Sequence, residues 1–323
     1  MHLSMHRRPQ RCILPPMESV RRFTWAGVLA AMALGLLWDL PGRAPHWVLQ
    51  GLLMSLLFLS CLELRPGQVL RDARRGLARN ALLLLVVILA SPLMLLPFRG
   101  AFDGQTWTGM ILAGTMSTGL GVIFLADVLN GSPSRALVLA VLSSVLAPLT
   151  VPAVVSVFAS RTVRIDALAM SARTAFIVLL PLAAAMTIGP TALGRRILRA
   201  KGPVSLTIFF GLIVTLVSSV SDLVLQSPAR SLRLLGVVAA LSVACALMGV
   251  LIGRGARQRM TFAIVASYRN FTLATVLALT LFGDRVAIPC VIYVLAGNLM
   301  VVALQLTGRA LAHSEASSVG PRV

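Results

Sequence analysis

Ten apolar segments make up most of the chain, and each is about as long as a bilayer's hydrocarbon core is thick. A membrane-spanning helix needs ~20 mainly apolar residues. Proline, glycine and arginine separate the segments, and the linkers are too short for a soluble domain. Only 12% of the residues are charged, against roughly one quarter in soluble domains. The predicted fold class is an all-α polytopic membrane protein. The ten predicted spans are residues 23–39, 46–64, 80–98, 106–129, 134–158, 168–189, 203–224, 231–253, 260–282 and 286–307.

The net charge of +19 comes from arginines in the linkers. Because they do not form one amphipathic face, we exclude a nucleic-acid-binding protein. If ten spans alternate across the membrane, the two sides differ in Lys and Arg by roughly three to one, which predicts that both termini are cytoplasmic. We expect an integral protein of the plasma or inner membrane, in contact with the lipid bilayer. The sequence does not predict an oligomeric state.

One membrane domain accounts for residues 17–307. Residues 1–16 form a predicted flexible cytoplasmic tail, although translation starting at Met17 would remove them. Residues 308–323 are polar and rich in small side chains, which predicts a disordered cytoplasmic tail.

The fourth and ninth spans are predicted to be interrupted helices. The fourth contains Gly114–Gly121, GTMSTGLG, in which three glycines and three hydroxyl residues weaken a helix. The ninth contains Ser267–Thr272, SYRNFT, at its centre. Each is the fourth span of a five-span half, at about residues 23–158 and 168–307, and an odd number of spans inverts one half relative to the other. Interrupted helices at matching places in inverted repeats mark transporter binding sites.

Arg269 lies in the middle of the apolar run Met260–Phe282. A charged side chain at that depth costs ~2.5–3.5 kcal/mol on insertion scales and marks a functional position by default. Three roles of Arg269 remain open. It could provide a fixed positive charge, or it could bind an anionic substrate through two parallel hydrogen bonds. The third role is structural, as an arginine that binds backbone carbonyls or a carboxylate.

Three motifs resemble the bile acid:sodium symporter superfamily. They are Leu57–Leu64 with the basic loop after it, Phe124–Ala126 followed by Ser143–Pro152, and Arg269–Ala274, which reads RNFTLA. The resemblance covers most of residues 17–307 and implies ten spans in two inverted five-span repeats. It also implies transport by alternating access, in which a core with spans 4, 5, 9 and 10 moves against the remaining spans.

The sodium-binding positions of that family differ in this chain. Sodium-coupled members carry an acidic residue five positions before the ninth-span Asn and a Gln directly before it. Here those positions hold Val265 and Arg269, and residues 81–98 contain no Gln. A sodium site needs several oxygen ligands. We therefore expect Arg269 to replace sodium at this position, while the coupling ion stays open between a proton and sodium.

The predicted function is secondary transport of a small organic anion, without a cofactor and without enzymatic activity. Glu63 is the candidate coupling carboxylate, although pairing with a nearby arginine at the membrane surface is the simpler interpretation. The candidate substrate- or ion-binding residues are Arg269, Asn270, Tyr268, Thr272, Ser117, Thr118, Ser143 and Ser144.

Two other functions remain as alternatives. One is arsenite efflux, the function of a related branch of the superfamily. Members of that branch resemble one another in having a cysteine in the fourth span, and residues 106–129 of this chain contain none. A degenerate, non-transporting sensor or scaffold would also tolerate altered ion positions. A membrane-embedded protease is excluded because all four histidines lie outside the apolar cores.

Overall fold

The computed structural model describes residues 17–37, 45–64, 67, 71, 74, 76–119, 121–160, 163–219 and 221–297. The described residues are almost entirely helical, and no β-strand occurs among them. We number the α-helices in chain order: α1 Met17–Leu37, α2 His46–Cys61, α3 Leu77–Leu85, α4 Ser91–Leu95, α5 Gly104–Thr115, α6 Val122–Val128, α7 Pro133–Ala159, α8 Ala167–Ile188, α9 Ala192–Ser218, α10 Ser221–Leu225, α11 Pro228–Ile252, α12 Ala256–Ser267, α13 Phe271–Leu281 and α14 284–297.

Five helical stretches are long and apolar enough to cross a membrane. They are Leu77–Ala101, Pro133–Ala159, Ala167–Ile188, Ala192–Ser218 and Pro228–Ile252. Shorter apolar helices cover Ala26–Leu37, Trp47–Cys61 and Phe271–Leu281. The all-helical, polytopic class is therefore confirmed, whereas the count of ten spans and the repeat stay predictions. The predicted tails, 1–16 and 308–323, lie outside the described residues, as does the end of the tenth predicted span.

The helices pack as two groups that contact each other, chiefly where α7 lies against α8. One group contains α1, α2, α8 and α9, and the other contains α3 to α7 and α11 to α13. Helix α14 lies in the second group, close to Gly109 of α5. In the second group α11 lies so close to α12 that a Cβ at Gly249 would be 2.3 Å from the carbonyl oxygen of Phe262. The third and eighth predicted spans therefore pack with the interrupted helices, and not with the group expected to move against them.

The third predicted span changes helix type along its length. A π-helical turn, Val86–Ala90, joins α3 to α4, and a 3-10 turn, Leu96–Ala101, follows. Pro92 lies in the first turn of α4, and its ring supplies no backbone N–H. Turns of this kind leave backbone carbonyls for other partners, and this one faces the centre of the second group.

The start of α5 is capped by Asp103. Its carboxylate accepts hydrogen bonds from the backbone N–H and the hydroxyl of Thr106, at 3.0 and 2.9 Å, and forms an ion pair with Arg230 at the start of α11. Burial raises the pKa of Asp103, but the hydrogen bonds from Thr106 and the charge of Arg230 outweigh it and hold the pKa below its usual value. Asp103 thus ties the two helix ends together.

Candidate functional site

The two predicted interruptions are present, and they meet. The backbone between α5 and α6 forms an antiparallel bridge with the backbone between α12 and α13, at Thr118 and Arg269. The N–H of Gly119 donates to the carbonyl oxygen of Tyr268 at 3.1 Å, and the N–H of Asn270 donates to that of Ser117 at 2.7 Å. We call these segments, residues 116–119 with Gly121 and residues 268–270, the crossing. Each segment satisfies backbone groups that the broken helix of the other leaves unpaired.

The glycines of the fourth span make this close approach possible. A Cβ at Gly119 would lie 2.8 Å from the carbonyl oxygen of Arg269 and 3.0 Å from the ring of Tyr268. A Cβ at Gly121 would lie 3.0 Å from the same ring. The helix-weakening composition therefore serves backbone pairing as well as interruption.

Hydroxyl groups from α7 surround the crossing. The Ser143 hydroxyl oxygen accepts a hydrogen bond from the N–H of Thr118 at 3.1 Å, and the Ser144 hydroxyl donates to that of Ser117 at 3.4 Å. The Thr118 hydroxyl donates to the carbonyl oxygen of Val265 at 3.1 Å. Four of the predicted site residues are thus brought together around one turn of backbone, and all four are buried.

Asn270 caps the second half of the broken ninth span. Its side-chain oxygen accepts a hydrogen bond from the N–H of Leu273 at 3.1 Å, which starts α13. Thr272 lies half-buried in the first turn of that helix. Tyr268 is also half-buried, and its ring meets that of Phe271 edge-on at 5.5 Å. The positive end of the α13 dipole is therefore directed at the crossing.

The Arg269 side chain is 2% exposed and is directed away from the crossing, towards the third predicted span. Its guanidinium donates to the carbonyl oxygen of Val87, in the π-helical turn, and to the hydroxyl of Ser91 at 3.0 Å. It also donates weakly to the sulfur of Cys245, in α11, at 3.9 Å. None of these three acceptors is a carboxylate. Arg269 therefore places a positive charge in the core without a carboxylate among its described contacts.

Sequence reasoning missed these partners. Ser91 and Cys245 were read as parts of apolar runs, and so was Tyr293, whose ring stacks obliquely on that of Phe271 at 5.5 Å. The Tyr293 hydroxyl is buried without a hydrogen-bond partner among the described residues. The only sequence signal was the pair Ser91-Pro92 inside an apolar run.

Glu63 lies apart from these residues, in the group formed by α1, α2, α8 and α9. Its carboxylate pairs with Lys201 of α9 at 3.1 Å, and its side chain is 63% exposed. Lys201 is a partner that was not predicted from the sequence, whereas the neighbouring Arg65 lies outside the described residues. The role of Glu63 in proton coupling stays a prediction.

Metal-binding residues do not cluster near the crossing. Within the described ranges, no group of three or more His, Cys, Asp or Glu side chains has an arrangement suited to a metal ion. The chemistry offered by the crossing consists of hydroxyl groups, a helix N-terminus and one guanidinium, which suits the binding of an anion better than that of a hard cation.

Comparison with known proteins supports the resemblance noted from the sequence. Residues 74–227 match the model of the Sodium Bile acid symporter family, somewhat less than half of the chain. The matched region begins near the third predicted span and ends before α11, so it contains the glycine-rich half of the crossing but not Arg269. No curated protein matches the chain.

Proposed function

We propose that this chain, whose residues 74–227 match the model of the Sodium Bile acid symporter family, is a secondary transporter of a small organic anion, working by alternating access. The family implies a membrane transporter of this type. The observation that carries the finer proposal is the crossing of two interrupted helices, joined by the bridge between Thr118 and Arg269. Interrupted helices of this kind form midplane substrate sites in secondary transporters.

Charge supports an anionic substrate. The crossing receives the positive end of α13, whose first turn is capped by Asn270, and it lies beside the buried guanidinium of Arg269. The described contacts of that guanidinium include no carboxylate. An anion that enters the crossing would therefore be attracted by both the helix dipole and a fixed charge.

We further propose that sodium does not couple to transport at the position of Arg269. The guanidinium already occupies the oxygen atoms of Val87 and Ser91. Val265, at the place of the family's acidic residue, is fully buried and contributes only its backbone carbonyl, to Thr118. A permanently bound guanidinium thus provides the charge that relatives obtain from an ion.

Uptake into proteoliposomes tests the proposal in two steps. First, purified protein is screened by thermal shift against a panel of organic acids, with Arg269→Gln as the comparison. An acid that stabilises the native protein, and stabilises the variant less, identifies the substrate class. Uptake of that acid is then measured under an inward sodium gradient and an equal choline gradient. We expect the two rates to agree within about twofold, and a steep dependence on sodium would refute uncoupling at Arg269.

A sodium site should be restorable by substitution. In the double variant Val265→Glu/Arg269→Gln, the residues typical of sodium-coupled relatives are present at both positions, and a carboxylate and an amide oxygen become available as ligands. We expect sodium chloride to raise its melting temperature relative to choline chloride, whereas the native protein responds equally to both salts. Val265→Gln/Arg269→Gln, which lacks the carboxylate, is the matched control. An equal response of both double variants would count against the carboxylate as the missing ligand.

A non-transporting sensor or scaffold is the second candidate, because the hydroxyl groups and the guanidinium at the crossing are buried. Ser117, Ser144 and Arg269 are each at most 6% exposed, so solutes do not reach them in this conformation. Labelling of Ser144→Cys with a membrane-impermeant maleimide separates the two candidates, with Ala147→Cys, buried one turn further along α7, as the matched control. Labelling that changes with a bound organic acid supports alternating access. Complete protection in vesicles of both orientations, together with no uptake, supports the scaffold.

A further inference from the structure

A second charged feature lies away from the crossing, where α7 and α12 both begin. An open cavity of about 510 Å³ is lined there by Ser132, Ser134, Arg135, Arg254, Gly255, Ala256, Arg257 and Gln258. We call it the arginine cavity. The positive-inside rule predicts that this end of the molecule is cytoplasmic. The arginine cavity is as large as typical small-molecule sites, which span roughly 300–1,000 Å³.

Hydrogen bonds fix the two walls of the arginine cavity relative to each other. The N–H of Ser132, at the start of α7, donates to the hydroxyl of Thr261 in α12 at 2.8 Å. The Nε of Arg257 donates to the carbonyl oxygen of Gly131 at 3.0 Å. The loop before α7 and the first turn of α12 are therefore held together before any ligand binds, which lowers the entropic cost of binding.

The charge of the arginine cavity is uncompensated by its lining. Three arginines contribute to it, and no carboxylate is among its lining residues in the described part of the chain. The side-chain oxygen of Gln258 accepts hydrogen bonds from the N–H of Arg254 at 3.0 Å and from the guanidinium of Arg79 at 3.3 Å. This brings a fourth arginine to the rim. The dipole at the start of a helix also repels cations. The lining of this cavity therefore favours the binding of an anion.

At the opposite end of the molecule, the carboxylate of Asp103 lies among the arginines of a second cavity. A smaller cavity of about 260 Å³ lies there, lined by Asp103, Gln226, Ser227, Arg230, Ser231, Arg285 and Ile288. It lies at the starts of α11 and α14 and beside the start of α5. In the predicted inverted repeat, α11 corresponds to α3, α14 to α7, and α5 to α12. In that cavity Asp103 pairs with Arg230. The arginine cavity has the corresponding arginines without the acid.

We infer that the arginine cavity binds a phosphate group, supplied by an anionic phospholipid headgroup or by a soluble phosphate ester. Several guanidinium groups suit a phosphate because each can donate two parallel hydrogen bonds to its oxygen atoms. The hydroxyls of Ser132 and Ser134, which are hydrogen bonded to each other at 3.3 Å, leave one further hydroxyl donor at the same cavity. The bound phosphate bridges the start of α7 to the start of α12, and so stabilises the helices that form the crossing. This inference does not depend on which substrate is transported, or on transport at all.

Thermal unfolding in neutral detergent tests the inference and separates the two sources. Delipidated protein is titrated with inorganic phosphate and with glycerol 3-phosphate, against sodium chloride of equal ionic strength. In parallel, the protein is reconstituted in nanodiscs of phosphatidylcholine with and without phosphatidylglycerol. We expect a saturable rise in melting temperature in at least one arm. A rise with the soluble probes identifies a phosphate ester as the ligand, and a rise only with phosphatidylglycerol identifies a lipid headgroup.

Two variants and a control assign the effect to the arginine cavity. Arg135→Gln/Arg254→Gln is expected to weaken the response at least tenfold in probe concentration, and Arg285→Gln, in the opposite cavity, is expected to leave it unchanged. Ser134→Asp introduces the missing carboxylate in the first turn of α7. It should raise the melting temperature without probe and reduce the response to phosphate. The inference is overturned if neither arm exceeds the salt control, or if Arg135→Gln/Arg254→Gln and Ser134→Asp respond as the native protein does.

Discussion

Replacing Arg269 with methionine, which has a similar length but no charge and no donors, should change stability by removing the hydrogen bonds of the guanidinium to Val87 and Ser91. The guanidinium makes two hydrogen bonds to oxygen atoms, on Val87 and Ser91. Such bonds to a charged group contribute about 1.5–3 kcal/mol each, so Arg269→Met loses about 3–6 kcal/mol. Removing a charge from the apolar core returns about 2.5–3.5 kcal/mol. At the midpoints of these two ranges the net fall in the free energy of unfolding is about 1.5 kcal/mol, which is small although each contact is strong.

A double-mutant cycle recovers the contact energy that this cancellation hides. Ser91→Ala is measured in the native protein and in Arg269→Met, by equilibrium unfolding in detergent micelles. In the native protein, Ser91→Ala removes the hydrogen bond between the hydroxyl and the guanidinium, whereas in Arg269→Met that bond is already absent. We therefore expect a coupling energy of about 1.5–3 kcal/mol. Thr207→Ala, at an exposed hydroxyl bonded to its own helix in α9, is the control and should be additive. A coupling below about 0.5 kcal/mol, the usual limit of additivity, would refute the assignment of Arg269 to Ser91.

Three further predictions concern the backbone pairing and the capped helix end. Gly119→Ala should destabilise the protein strongly in thermal unfolding, because its methyl group would lie 2.8 Å from the carbonyl oxygen of Arg269. Gly211→Ala is the control, at an exposed position of α9 with open space around it, and it should stabilise the protein by about 0.5–1 kcal/mol. Equal effects of the two changes would contradict the tight fit at the crossing. The lowered pKa of Asp103 contributes stability that is complete above its unfolded value of about 3.9 and is lost as pH falls through the folded value. The melting temperature of Asp103→Asn should lack that acid-dependent loss, and a loss as large as the native protein's would exclude Asp103 as its source.

Sequence patterns predicted the features that depend on local composition. Apolar length predicted a polytopic helical protein, and the glycines around Gly119 predicted an interrupted helix. The motif at Arg269 and Asn270 pointed to the family that the match over residues 74–227 supports. These features are readable because helix propensity and hydrophobic length act over neighbouring residues.

Contacts between distant segments were not predictable in this way. Ser91 and Cys245 lie 178 and 24 residues from Arg269, and nothing in their own runs marks them as acceptors for a guanidinium. The π-helical turn at Val86–Ala90, whose Val87 carbonyl accepts from Arg269, was likewise not predicted. The fold also brings Lys201 to Glu63 from 138 positions along the chain, a pairing that the residues around Glu63 do not indicate.

The sequence by itself determined that a positive charge lies in the middle of an apolar run, since Arg269 is surrounded by apolar residues on both sides. Only the tertiary structure decided how that charge is held. Two broken helices pair their backbones at Thr118 and Arg269, and this pairing directs the guanidinium to the π-helical turn of a third span. The physical reason is that burial is a property of the local run, whereas hydrogen-bond partners are set by which helices pack side by side.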